Sequence, residues 1–275
     1  MLEDHTVFVD RGGRAVSRSG GGRSKFVQLM SVTKLVVLLA FLECAADHGI
    51  AITDPVRRVF PEYGHGYSFA DIINHRTWLQ NDWGGSALQR RYFACKDIYR
   101  FALELKDDRG REGEGANGAK GQPAFRYNNY AYNILAAAVQ RLSGASVQAL
   151  LDSSHMGLLS GVGYRWMKGA RGQPHASFGL SVRVTDLVRF GVNLHAAMRA
   201  RPLPFFWSRR AAVVGRRRLA LVGHDGSGGQ YAYFDERSGG LLLWVYGGAP
   251  KPSYDALRTN DAFEAKFAAA LKEKP

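Results

Sequence analysis

The run from Leu35 to Ala46, "LVVLLAFLECAA", restricts this chain most, because its roughly twelve residues are apolar on nearly every side. A surface helix carries one apolar stripe, whereas a segment apolar all round has to be enclosed by the rest of the protein. Val-rich runs also suit strands. This one ends in Asp47-His48-Gly49, and a glycine closing the last turn favours a helix. About twelve residues are too few to span a bilayer. The segment therefore predicts a helix buried in a globular core, and 275 residues suffice for one large domain or two joined ones.

Around that helix the pattern changes period. "HTVFVDRGGRAVSRSG" alternates polar and apolar residues about a Gly-Gly turn and predicts a β-hairpin. "SFADIINHRTWL" predicts a short helix started by Ser68, "NNYAYNILAAAVQRLSG" a helix stopped by glycine, and "SVRVTDLVRFGVNLHAAM" a helix capped by Thr185. Residues 106 to 122, charged and glycine-rich, read as a surface loop or insertion. Late in the chain "RRLALVGHDG", "QYAYFDE" and "GGLLLWVYGG" are strand-like runs with tight turns, and "YDALRTNDAFEAKFAAALKEK" closes as an amphipathic helix. Strands at both ends and helices between them predict an α/β (α+β) fold: an antiparallel sheet built from both termini, flanked by helices. Residues 1-60 and 170-275 would form this sheet domain, with 61-169 an inserted, mainly helical subdomain.

Composition excludes some classes of function. Hydrophobic residues make up 46% of the chain, which speaks for a globular protein. Cys44 and Cys95 sit in apolar segments without ligand-like spacing and read as buried thiols rather than a disulfide or metal site. "MLEDHTVFVD" has acidic residues where a signal peptide has basic ones, so the chain as written reads as soluble and unexported; a trimmed leader would give the same picture. The formal charge of +13 rests largely on arginine, as in Arg57-Arg58, Arg90-Arg91, Arg209-Arg210 and Arg216 to Arg218. These groups are scattered, with no interleaved aromatics and no helix-turn-helix pattern, which argues against nucleic acid as a partner.

Three short motifs could carry chemistry. Ser31 and Lys34 flank the start of the apolar helix at i and i+3, so their side chains share a face. A helix amino end favours developing negative charge, and a lysine held in a dry interior is neutral enough to accept a proton. The plainer alternative is a serine cap beside a surface charge. Tyr127-Asn128-Asn129 falls where a loop enters a helix, with an aromatic packing stripe through Tyr127 and Tyr130 as the alternative. A phenol there can relay a proton, and an amide can hold both a carbonyl and a lysine. His224-Asp225-Gly226 ends an apolar strand whose glycine lets backbone approach a ligand, so an N–H there could share an oxyanion with that of Ser31. The alternative is a turn histidine. His155-Met156-Gly157 repeats the spelling without a strand around it.

Ser-x-x-Lys, then Tyr-x-Asn at a loop-to-helix junction, then His-x-Gly on a late strand resembles the serine β-lactamase and penicillin-binding protein superfamily. The likeness is greatest to the branch of class C β-lactamases, D-alanyl-D-alanine peptidases and β-lactamase-like esterases, and extends over roughly residues 5 to 270. It implies that Ser31 is acylated, that Lys34 and Tyr127 move its proton, and that Asn129 positions Lys34 and the substrate carbonyl. It further implies that His224 tunes the relay beside Tyr127, that Gly226 belongs to the binding strand, and that the backbone N–H groups of Ser31 and Ser227 hold the oxyanion. No metal or other cofactor is implied.

The chain departs from the branch in three places. Arg76-Thr77-Trp78 stands where a Thr-Ser-Gly turn is usual, His224-Asp225-Gly226 where class C enzymes have Lys-Thr-Gly, and an early helix or edge strand looks missing. The resemblance thus implies a serine hydrolase acting through an acyl-enzyme on an ester or amide, of the esterase or D-amino-acid peptidase type. A β-lactamase, or an idle homologue that binds penicillin or peptide, is the alternative. The expected partner is a small ester, amide or peptide substrate, and the oligomeric state stays open.

Overall fold

The computed structural model describes residues 3–19, 25–108, 125–153, 157–247 and 260–272. Most of the 106 to 122 segment, His155 and the first part of the closing amphipathic segment lie outside the described residues. The chain divides into two units: Met1–Val36 with Leu151–Trp166 and Phe178–Pro275, and Val37–Leu150 with Met167–Ser177.

The first unit is built on a six-stranded antiparallel sheet. Its strands are β1 (Glu3–Val9), β2 (Ala15–Ser19), β6 (Arg209–Val214), β7 (Arg217–Gly226), β8 (Gln230–Asp235) and β9 (Gly240–Gly247). They lie in the order β2-β1-β9-β8-β7-β6. The Gly-Gly turn makes the expected hairpin, with Phe8 opposite Val16, and β1 pairs with β9, with Thr6 opposite Trp244. The two ends of the chain thus meet in one sheet.

Side chains alternate across a strand, so both faces must be covered when both are apolar. Tyr231 and Tyr233 of β8 face helix α8 (Asn260–Ala270), where they pack with Phe263 and Phe267. The intervening Ala232 and Phe234 are buried as well. Phe234 lies against His195 of helix α7 (Leu187–Ala200), which also packs on β1, β2 and β9. A smaller sheet, β3-β5-β4, joins β3 (Phe26–Gln28), β4 (Tyr164–Trp166) and β5 (Leu180–Arg183). Pairing of β4 with β5 is what ties residues 151–166 to this unit rather than to the segment 61-169. Thr185 does not cap α7. It lies in a 3-10 turn, Val184–Asp186, and the Asp186 carboxylate accepts instead from the Gly163 N–H at 2.8 Å.

The apolar run forms helix α1 (Val32–Asp47), and every residue from Val32 to Phe41 is fully buried. Its last turn emerges at Ala46 and Asp47, and Gly49 (φ 64°) provides the left-handed stop. In the second unit the later part of α1 packs Phe41 against Phe69, and the Cys44 thiol faces the Val139 carbonyl. Cys44 is buried, whereas Cys95 is only half-buried, and both are free thiols.

The helices of the second unit are α2 (Phe69–Ile73), α3 (Ala87–Ala94), α4 (Ile98–Leu103) and α5 (Tyr132–Ser143). Ser68 starts α2 with a reciprocal cap to Asp71. A further short helix, α6 (Val147–Asp152), follows α5. No helix among the described residues is long and apolar enough to cross a membrane.

Candidate active site

In the first unit, Ser31 is the last residue before α1 and is half-buried, while Lys34, one turn on, is completely buried. The Lys34 ammonium nitrogen lies 3.1 Å from the Ser31 hydroxyl. Burial disfavours its charged form and lowers its pKa from 10.5 to about 7. Near neutral pH a large share of Lys34 is therefore an amine with a lone pair, next to a hydroxyl that can donate to it. Lys34 is thus not the surface charge that the plainer reading required.

The loop that presents Ser31 is held on both sides. The Leu29 N–H donates to the Leu180 carbonyl at 2.9 Å, and the Leu180 N–H donates to the Thr33 hydroxyl at 3.4 Å. Met30 has φ 48°, a left-handed conformation that costs a residue with a side chain on the order of 1–3 kcal/mol. Strain next to a reactive side chain persists only where the surroundings enforce it, as Leu180 of β5 does here. Nothing in the sequence signals this, because methionine has no preference for that region.

β7 supplies the facing wall. A side chain at Gly226 would come within 2.9 Å of the Leu29 carbonyl, Met30 Cβ and Gln230 Oε1, so only glycine lets the strand end approach the Ser31 turn this closely. Ser227, exposed, follows directly. Gln230 is a site neighbour that sequence reasoning missed: it is buried, and its Oε1 has no hydrogen-bond partner among the described residues. Replacing Gly226 with alanine is expected to cut turnover of an ester about 10²-fold or more, comparable to losing an oxyanion donor. Steady-state kinetics with a melting curve measures this, and unchanged kinetics would show the close approach to be dispensable.

His224 is buried on the same strand, its Nδ1 2.6 Å from the Asp225 carbonyl and its ring edge-on to Trp207. Burial, and next the charge of Lys34, lower its pKa from 6.5 to about 4, against an opposing pull from Asp225. The imidazole is thus neutral at physiological pH. The structure brings Ser31, Lys34, His224, Gly226 and Ser227 into one unit.

Tyr127 and Asn129 belong to the second unit. They are half-buried, while Asn128 and Tyr130 between and beyond them are fully enclosed. Asn128 is the structural member: its Oδ1 accepts from Tyr130 N and Ala131 N, and its Nδ2 donates to the carbonyls of Leu79 and Gln80. Asn81 grips the same turn, donating to the Tyr127 carbonyl at 2.6 Å and accepting from Asn129 N at 2.7 Å. His75, itself at φ 53°, packs at a tilt against the Tyr127 ring, centroids 4.5 Å apart, and accepts from Asn128 N. Tyr130, whose hydroxyl donates to the Asp82 carbonyl, and the capping Asn128 fit the packing-stripe alternative. Asn81 and His75 were missed because they lie about fifty residues upstream, and only the fold brings them to the turn. Among the described residues no group of three or more His, Cys, Asp or Glu side chains is placed to hold a metal.

A serine hydroxyl at a helix start, a buried lysine one turn on and a glycine-ended strand beside them fit a serine hydrolase of β-lactamase-like fold. The Beta-lactamase family matches residues 6–265, so the chain belongs to it. No curated protein matches the sequence significantly. Among solved structures, the chain is similar to D-amino acid amidase from Ochrobactrum anthropi SV3, with 13% identity, TM-score 0.64, and 98% of this chain and 94% of that one covered. It is also similar to a penicillin binding protein from Bacillus halodurans, with 13% identity, TM-score 0.63 and 96% of each chain covered. A D-stereospecific amidohydrolase from Streptomyces sp. matches with 13% identity and TM-score 0.62 over 97% of this chain and 94% of that one.

Proposed function

We propose that this protein hydrolyses esters or amides through an acyl-enzyme on Ser31, in the manner of an esterase or a D-amino-acid amidase or peptidase. The observation that carries the reading is the enclosed Lys34 amine 3.1 Å from the Ser31 hydroxyl. In the first step the Ser31 proton passes to neutral Lys34 as the oxygen bonds to the substrate carbonyl carbon. The oxygen of that carbonyl takes the negative charge, held by the backbone N–H groups of Ser31 and Ser227. Collapse breaks the bond to the alcohol or amine, which leaves with a proton returned from the base. Water then attacks the acyl carbon, gives its proton to the same base, and releases the acid and the free serine.

Tyr127 and Asn129 are assigned to the same reaction on the strength of the motif they share with the family. Tyr127 would relay the proton to the leaving group, and Asn129 would hold the substrate carbonyl. What supports a share for this turn is its preparation: Asn81, Asn128 and His75 fix its backbone and the ring while leaving Tyr127 and Asn129 partly open. Tyr127→Phe is expected to lower kcat/KM for an amide about 10²–10⁴-fold, the usual range for a lost acid–base group. The loss should be smaller for a p-nitrophenyl ester, whose leaving group needs no proton; equal losses would remove the assigned role.

Ester and amide substrates are favoured over β-lactam antibiotics for a physical reason. Where class C enzymes carry a lysine, this chain has His224, which is neutral at physiological pH and buried. That position presents no cation to the carboxylate of a penicillin or cephalosporin. The structures of a D-amino acid amidase and a D-stereospecific amidohydrolase among the similar folds agree with the amide side of this reading. Incubation with p-nitrophenyl butyrate, D-phenylalanine amide and nitrocefin tests it. Turnover of the first or second at least tenfold above nitrocefin is expected, and preferential nitrocefin hydrolysis would replace this reading with a β-lactamase.

A further inference from the structure

At the far end of β8 from the Gly226–Gln230 turn, about 17 Å along the strand, the first unit holds a separate cavity of about 310 Å³. Its floor is apolar, with Met198, Leu203 and Phe234. Its rim carries Arg11 from the β1–β2 turn, Arg199 from the last turn of α7 and Arg237 from the β8–β9 turn. The Arg199 guanidinium is fixed by donating to the Arg11 carbonyl at 2.6 Å, and the side-chain stem of Arg11 lies against Gly239.

Several arginines elsewhere meet carboxylates, as in Arg58 with Asp54, Arg100 with Glu104, Arg126 with Asp108 and Arg171 with Asp97. Here the cavity's own carboxylate, Glu236, is taken up by both forks of Arg209. None of Arg11, Arg199 and Arg237 forms an ion pair with a described residue. Three like charges on one small rim repel each other, and a multiply charged anion relieves that repulsion while accepting several guanidinium N–H bonds. The volume is at the lower end of small-ligand sites, and the floor asks for an apolar body.

We propose that this cavity binds a phosphate monoester carrying a small apolar group, at a site independent of Ser31. Such a ligand exists free in solution or as the headgroup of a phosphatidate lipid, and the same three guanidiniums would take either. The test uses the full chain and titration calorimetry in 150 mM salt with phenyl phosphate as probe. One-to-one binding is expected, weakened at least tenfold by the pair Arg199→Gln and Arg237→Gln and unchanged by the control pair Arg57→Gln and Arg90→Gln. Inorganic phosphate should bind at least tenfold more weakly, because it leaves the floor uncovered.

Co-sedimentation with vesicles containing phosphatidic acid, compared with phosphatidylcholine alone, separates the sources. Retention lost in the cavity pair assigns the lipid, and phenyl phosphate binding without retention assigns the free ester. Melting curves and ester hydrolysis, which these exposed changes should leave intact, confirm folding. Absence of both binding and retention, or equal weakening by the control pair, overturns the proposal.

Discussion

Replacing Ser31 with alanine is expected to lower kcat/KM for the best ester substrate by about 10⁴–10⁶-fold, with folding and melting temperature little changed. The size follows from the role: a covalent nucleophile cannot be bypassed, and what survives is binding and oxyanion stabilisation alone. Ser31 is half-buried at a helix start, so the lost hydroxyl leaves neither a large cavity nor an orphaned partner that is charged at high pH. The Lys34 amine loses its neighbour at 3.1 Å and keeps its burial. Kinetics with p-nitrophenyl butyrate, alongside a thermal melt, reads both halves. A loss smaller than about tenfold would mean that the reaction does not pass through this oxygen.

Lys34→Met is expected to move activity and stability in opposite directions. Activity should fall about 10²–10⁴-fold, because methionine fills the volume but takes no proton. Stability should rise. The folded state holds this lysine at a pKa of about 7 against 10.5 when exposed, so between those values only the unfolded state is protonated, and below 7 the folded state must bury the charged form. At about 1.4 kcal/mol per tenfold in proton affinity, the penalty approaches about 5 kcal/mol as an upper bound. It is fully present below pH 7 and fades as pH rises toward 10.5. The melting temperature of the variant should therefore exceed that of the parent most at pH 6, and the gap should shrink by pH 10. A destabilised variant at pH 6 would contradict the assignment of burial as the cause of the shift.

Much of this site was legible from residue order because its parts are local. Ser31 and Lys34 share a helix face by spacing alone, and the mostly apolar helix behind them makes the lysine conspicuous. The hairpin, the Ser68 cap and the late strands were legible for the same reason: a turn signal or a period of two is written in adjacent residues. Strands β3, β4 and β5, three or four residues each, were not, since a run that short has no period and its pairing is set by distant partners. Yet β5 is what anchors the Ser31 turn through Leu180.

Thr185 was misread because a cap-type residue precedes an apolar run there, while a 3-10 turn over Val184–Asp186 moves the helix start to Leu187. The supports of Tyr127 fall in the same class as β5. Asn81 and His75 are ordinary polar residues in the sequence, and only tertiary placement shows that one brackets the backbone of the turn and the other packs against the phenol ring. The two non-glycine residues with positive φ among those described, Met30 and His75, both adjoin proposed site residues. Local rules fail where the site needs an unusual backbone.

We propose that a solvent-excluded, half-neutral amine at 34 makes the hydroxyl at 31 a nucleophile. The most direct measurement is the rate of covalent labelling of the protein by a p-nitrophenyl ester or a fluorophosphonate, followed by intact mass and peptide mapping from pH 5 to 9. One acyl or phosphonyl group is expected, on the peptide containing Ser31, forming at a rate that climbs about tenfold per pH unit and levels off near 7. A label on any other residue, or a flat rate across that range, would contradict it.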